Sequence, residues 1–220
     1  MNDFAARLRE GAAGLGITLN DAQLQQFTVL VDQLVKWNQA YNLTAIESRG
    51  DILTHHLLDS LAAQPDLAGT RIADVGTGAG FPGLPLAIVN PERQFTLIDS
   101  VDKKLRFIDH VARELGLTNV RTRHGRVEQL APDVHDTVIA RAFAPLPRLA
   151  AWVAPLTGPS TRVVAMKGRW PPPIGAAGDS DGGPLPAGWR IEAVRAVVVP
   201  GLDEARHHVL LRHGGGVTVE

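Results

Sequence analysis

The chain contains no cysteine. This excludes a disulfide framework, a zinc–thiolate centre and a thiol nucleophile. No apolar run approaches the ~20 residues that a membrane-spanning helix needs. The opening residues, Met1-Asn2-Asp3-Phe4, lack the basic-then-apolar pattern of a secretory signal. Together these absences lead us to expect a cytoplasmic protein with no membrane partner. Charge of one sign is also missing. A formal net charge of -1 gives no global pull toward nucleic acid, so any RNA contact needs a local basic patch.

What is present suits one soluble domain of ordinary size. The 220 residues are 45% hydrophobic and 20% charged, enough to bury a sizeable core. Residues 1–65 read as a helical extension. From Asp21 to Tyr41, Leu24, Phe27, Val31, Leu34, Trp37 and Tyr41 recur at spacings of three and four, with Asn20 or Asp21 as N-cap. A further helix is expected over Asp51–Ala63. Residues 66–220 read as an α/β unit. Strands are expected at Arg71–Val75, Gln94–Ile98, Val120–His124, Val138–Ala140 and Arg162–Lys167. Helices fit Pro82–Val89, Val101–Leu115 and Leu146–Ala154. Strands separated by helices imply a mostly parallel twisted sheet with right-handed crossovers and helices on both faces. Ile191–Val199 and His207–Arg212 fit a closing antiparallel hairpin. The Pro- and Gly-rich stretch from Trp170 to Trp189 reads as a loop, and Gly214-Gly215-Gly216 as a frayed tail.

The most informative segment is Asp74-Val75-Gly76-Thr77-Gly78-Ala79-Gly80-Phe81-Pro82-Gly83. It is a strand end, a glycine-rich turn and a helix start, the place where doubly wound sheets hold nucleotide-like ligands. A dinucleotide register exists at Gly78, Gly80 and Gly83, so a nicotinamide enzyme competes. Counted from Gly76, however, the third glycine position is Phe81. Pro82 suits the first helical position. A carboxylate at Asp74 would repel a pyrophosphate and attract a cation. Asp99, about 20 residues beyond the glycines, stands where an acid bonds ribose hydroxyls. The pattern describes a pocket for a nucleoside with a cationic tail, and S-adenosylmethionine is the common cofactor of that description.

The flanking motifs sharpen this. Lys36-Trp37-Asn38-Gln39-Ala40-Tyr41-Asn42-Leu43-Thr44, His55-His56-Leu57-Leu58-Asp59-Ser60-Leu61, Asp74 to Pro85 and Arg141-Ala142-Phe143 resemble the bacterial ribosomal RNA small subunit methyltransferase G family. The same family also goes by the older name glucose-inhibited division protein B. The resemblance runs from the second helix to about Gly168. It implies a class I, Rossmann-like S-adenosylmethionine-dependent methyltransferase. The implied reaction is methylation of N7 of one guanine in 16S rRNA, within the 30S subunit or an assembly intermediate. The family's cofactor contacts fall on Gly76, Phe81, Val127, Glu128 and Arg141. The loop after Met166-Lys167-Gly168 departs from the family's usual sequence.

The chemistry is compatible. Methylation at a pyrimidine C5 uses a cysteine, and methylation of an exocyclic amine uses an Asn/Asp-Pro-Pro-aromatic turn. This chain has Ala140-Arg141-Ala142-Phe143-Ala144-Pro145 there. Guanine N7 already presents a lone pair and needs no deprotonation. We therefore expect Asp74, Gly76, Gly78, Phe81, Asp99, Val127, Glu128 and Arg141 to bind cofactor, with Arg141 also positioning the reactants. Phe143 reads as a base-stacking or core residue. Arg121, Arg123, Arg126, Arg141, Arg148, Arg162, Lys167 and Arg169 could form one phosphate-binding face. Of these, Arg123, Lys167 and Arg169 are the candidate RNA contacts. His55 and Asp59 are spaced to share a hydrogen bond. Asn42 and Thr44 are expected to cap and orient the joint between helices and sheet. No metal is expected. Another RNA, a protein or a small molecule remains an open acceptor, and a nucleotide-binding NAD-type protein an open class.

Overall fold

The computed structural model describes residues 3–171, 181 and 183–214. Its centre is a seven-stranded sheet in the order β3-β2-β1-β4-β5-β7-β6. The strands are β1 (Arg71–Val75), β2 (Gln94–Asp99), β3 (Val120–His124), β4 (Thr137–Arg141), β5 (Arg162–Lys167), β6 (Trp189–Val197) and β7 (Arg206–His213). The first five are parallel to one another. Strand β7 runs antiparallel between β5 and β6. The expected hairpin exists, but its second strand is the inner one. Its sequence explains the order: Val209 and Leu211 face the apolar core, whereas β6 is largely exposed and carries Arg190, Glu192 and Arg195.

Alternation along the strands divides the core. Ala73, Val75, Val138, Ala140, Val163 and Ala165 face the helix Leu146–Trp152, with Leu146, Leu149 and Ala150. Ile72, Leu97, Ile139 and Val164 face the other side. There they meet the helices Gly83–Val89 and Asp102–Glu114. The amino-terminal helices pack on that side too. Phe4, Leu8, Phe27, Leu30 and Leu34 belong to the same continuous core as the sheet. The expectation of helices on both faces is met.

The amino-terminal helices are α1 (Asp3–Gly14) and α2 (Asp21–Tyr41). Asn20 caps α2 through a reciprocal pair with Gln23. Asn42 ends it in the left-handed conformation, φ 49°. The third helix begins at Arg49–Asp51 and ends at Asp59–Leu61. Its middle, Ile52–Leu58, is π-helical. Such stretches are rare and concentrate at functional sites. Among the described residues, no helix is long and apolar enough to cross a membrane. None of their His, Asp and Glu side chains forms a group of three or more suited to a metal ion.

Candidate active site

Two cavities meet at Gly76 and Ala142, beyond the carboxyl ends of β1 and β4. The smaller, about 430 Å³, is lined by Ile98, Asp99, Lys104, Val127, Glu128 and Phe143 among others. The larger, about 560 Å³, lies on the other side of the turn. Its walls include Thr44, His56, Gly78, Phe81, Arg141 and Lys167.

The glycine turn is held from within. Gly76 N and Thr77 N donate to Ile98 O, and Gly80 N and Phe81 N donate to Thr77 O. Gly78 N donates to Asp99 Oδ2 at 3.0 Å. A pyrophosphate site needs such amides free; here they are already committed. Gly78 has φ +61° and no heavy atom within 4 Å of where a Cβ would stand. The backbone is therefore open to a ligand at that point.

Asp74 plays a different part from the one expected. It is fully buried and is not among the residues lining either cavity. Its Oδ2 accepts from Thr77 Oγ1 at 2.6 Å and from Gly83 N at 2.8 Å, while Oδ1 has no partner. Burial pushes its pKa up to about 6, against the lowering effect of those bonds and of Arg141. Strand alternation is the physical reason. Asp74 shares the face of Ile72, which points into the core. Asp74 thus braces the turn and caps the helix Gly83–Val89. Pro82 occupies the N-cap position of that helix, not its first turn, and provides no side-chain cap.

Asp99 ends β2 and lines the smaller cavity, as the sequence suggests. Its Oδ1 accepts from Val101 N at 2.9 Å, and Lys104 Nζ lies 3.7 Å from Oδ2. A carboxylate offers about four lone-pair sites, so two remain for hydroxyl donors. Ile98, Val127 and Phe143 supply flat apolar walls. Glu128 lies in the 3-10 turn Val127–Gln129, and it lines the same cavity. This donor set fits a ribose and a planar base, with the opening at Gly78 leading the rest of the ligand toward Arg141.

Arg141 is the last residue of β4. Its Nη1 donates to His55 O at 2.7 Å and to Asp59 Oδ2 at 3.2 Å, and Nη2 lies 3.1 Å from His56 Nδ1. Its guanidinium also stands 5.7 Å from the Phe81 ring centroid. The π-helical stretch makes this possible, because its wider turn presents the His55 carbonyl, the His56 ring and, just beyond it, Asp59 together. The expected His55–Asp59 bond is replaced by this arrangement. His56 stacks on Phe81 at 4.6 Å, and burial, aided by Arg141, lowers its pKa to about 3. Asp59 also holds Arg206 of β7, at 3.3 Å. Sequence reasoning misses Arg206, because nothing local marks it. Only the inner position of β7 brings it to the cavity.

The basic residues do not form one face. Arg121 and Arg123 reach Asp133, which also pairs with Arg71 at the opposite end of the sheet. Arg123 additionally donates to Ala131 O, and it lines neither cavity. Arg162 and Lys167 stand at opposite ends of β5, about 16 Å apart at the usual rise. Lys167 lines the larger cavity, where Nζ meets Ala144 O and Asp181 Oδ1, each at 2.7 Å. Arg169 is exposed just beyond Gly168, which lines that cavity. Phe143 packs edge-on against Trp152, with ring centroids 5.7 Å apart.

Residues 23–173 match the family model described as rRNA small subunit methyltransferase G. Curated relatives carry the name ribosomal RNA small subunit methyltransferase G. One from Erwinia tasmaniensis is 44% identical over 215 residues, covering 97% of this chain and 100% of its own. One from Marinobacter nauticus is 42% identical over 209 residues, covering 94% of each. Among solved structures, a SAM-dependent methyltransferase from Aquifex aeolicus superposes with a TM-score of 0.53 at 19% identity, over 74% of this chain and 93% of that one. The mitomycin 7-O-methyltransferase MmcR gives 0.59 at 16% identity, over 84% and 60%. Such distant likeness shows the fold, a class I methyltransferase architecture. The sequence matches show more: the chain belongs to the ribosomal RNA small subunit methyltransferase G family.

Proposed function

We infer that this protein transfers the methyl group of S-adenosylmethionine to N7 of a guanine in 16S rRNA, within the 30S subunit or an assembly intermediate in the cytoplasm. The observation that carries the reading is the pair of cavities meeting at Gly76 and Ala142. One has the walls of a nucleoside site. The other is open and lined by Arg141, Lys167 and Arg206.

When bound, S-adenosylmethionine supplies an electrophilic methyl group on a sulfonium centre. The chain's residues hold and align. Asp99 takes the ribose hydroxyls, Val127 and Glu128 take the base, Gly78 lets the ligand pass close to the backbone, and Gly76 makes room for the Phe143 ring beside it. Phe81 and Arg141 wall the junction. Lys167 and Arg169 meet the phosphate backbone, a sequence-independent contact.

The acceptor side favours a group that needs no deprotonation. Each carboxylate or imidazole lining the larger cavity, among the described residues, is already engaged. His56 is held by Arg141 and Thr44, and Asp59 by two arginines. His208 is held by Asp66, Asp181 by Lys167, and His55 by Thr54. These contacts hold the side chains in place, and a guanine N7 requires no base. Holding it in line with the methyl group is then the main catalytic work.

The test is transfer of a tritiated methyl group to 16S rRNA and to 30S subunits lacking the modification, followed by mapping of the labelled nucleotide. Label on one guanine, removed by depurination chemistry specific for N7-methylguanine, is the expected result. No label in either substrate overturns the reading.

A further inference from the structure

The hydrogen bonds around His56 fix the direction of one more. Arginine can only donate, so His56 Nδ1, 3.1 Å from Arg141 Nη2, accepts. The ring proton therefore sits on Nε2. That nitrogen lies 2.9 Å from Thr44 Oγ1 and donates to it. Ile46 N donates to the same oxygen at 3.1 Å. Both lone pairs of the hydroxyl are then used, and its own hydrogen must point elsewhere.

Thr44 lines the larger cavity. Its backbone is clamped by Asn38, which accepts from Thr44 N at 2.9 Å and donates to Thr44 O at 3.0 Å. A β-branched side chain on a fixed backbone has little rotamer freedom. The result is a donor restricted in advance on the wall of the larger cavity. Three of the five N–H donors of Arg141 are by contrast spent on His55 O, Asp59 and His56. On the edge that carries N7, guanine presents the O6 acceptor, while adenine presents an amino group in the same place.

We propose that the Thr44 hydroxyl donates a hydrogen bond to the carbonyl oxygen of the acceptor base, and so selects guanine over adenine at the methylated position. The inference rests on the function proposed above and names a residue that sets its specificity. His56 acts as a positioning residue, since it turns the hydroxyl by filling one of its lone pairs.

The experiment compares the wild type, Thr44→Ser and Thr44→Val on 30S subunits carrying either the mapped guanine or an adenine in its place. Binding of S-adenosylmethionine is measured by calorimetry alongside. Thr44→Ser is expected to keep guanine transfer within about threefold. Thr44→Val is expected to lose about 10- to 100-fold in kcat/KM on guanine, the range of one good base contact. It loses nothing further on adenine, so the preference collapses while S-adenosylmethionine binding stays within about twofold.

A Thr44→Val protein that keeps the wild-type preference overturns the proposal. So does one whose cofactor affinity falls by the same factor as its transfer. If Thr44→Val shows no cooperative melting, nitrogen NMR of the wild-type imidazoles decides. A neutral His56 protonated at Nε2 supports the assignment, and one protonated at Nδ1 overturns it. A wild type that methylates no guanine in either particle overturns the function and this proposal together. Active wild type with indifferent variants overturns the proposal alone.

Discussion

Phe143 covers Gly76 at the point where any other residue would carry a side chain. A Cβ on Gly76 would stand 2.2 Å from Phe143 Cδ2, and the backbone there has φ +68°. Gly76→Ala therefore meets two obstacles. The left-handed conformation alone costs about 1–2 kcal/mol for a residue with a Cβ, and the overlap adds to it. We expect a lowered melting temperature and loss of S-adenosylmethionine binding by calorimetry. Adding Phe143→Ala should return part of the stability. A double variant no more stable than Gly76→Ala would show that the overlap is not the cause.

Asp74 makes stability depend on pH in an unusual direction. Its folded pKa, about 6, lies above the ordinary 3.8. The stability it confers is complete below the unfolded value and fades as pH rises through the folded one. Asp74→Asn keeps an oxygen for Thr77 and Gly83 without the charge. Urea midpoints measured from pH 4 to 8 should fall less steeply between about 4 and 6 in the variant than in the wild type. Parallel curves would remove Asp74 as the source.

The committed amides of the glycine turn distinguish ligand classes. Calorimetry should detect S-adenosylmethionine and show no heat with NAD. Asp99→Ala should weaken the former by about tenfold or more, since it removes a charged acceptor worth about 1.5–3 kcal/mol. An unchanged affinity would move the ribose elsewhere.

Arg141 is structural as well as functional. Its bonds to His55, His56 and Asp59 join the sheet to the third helix. Arg141→Ala should reduce methyl transfer and also cost about 1–3 kcal/mol of stability, through donors and acceptors left unpaired. Arg206 still pairs with Asp59 in that variant, so folding survives. Single-turnover transfer and thermal melting check the two effects separately. Full activity in Arg141→Ala would limit the residue to its structural part.

Much of this architecture is legible in the sequence. Apolar runs bounded by glycine, proline and acids mark the five parallel strands to within a residue or two. The glycine turn with Asp99 beyond it locates the site. What stays hidden depends on long-range register. Nothing local shows that β7 inserts beside β5 and delivers Arg206. The π-helical stretch looks like ordinary helix, because its apolar spacing is the same. The charge of Asp74 suggests a ligand contact, although its alternation with Ala73 and Val75 points it inward. Arg162 sits at a strand end like Lys167, but at the amino end, whereas the site lies at the carboxyl end; Arg123 is near the carboxyl end of β3, but its side chain is drawn to Ala131 O and Asp133. Thr44 orients the joint, as its place in the sequence suggests; its second role follows only from the tautomer of a histidine twelve residues away.

The inner placement of β7 also sets an order on how the enzyme is made. A nascent chain that has emerged only as far as β5 already holds the glycine turn, Asp99 and Arg141. It still lacks Arg206, which shares the Asp59 carboxylate, and His208, which shares Asp66. Asp66 gains its side-chain partners Arg195 and His208 only about 28 and 41 residues after β5 ends, whereas Asp59 already has Arg141 and gains Arg206 in addition. Assembly of the acceptor cavity is thus ordered in time by the ribosome that makes the chain.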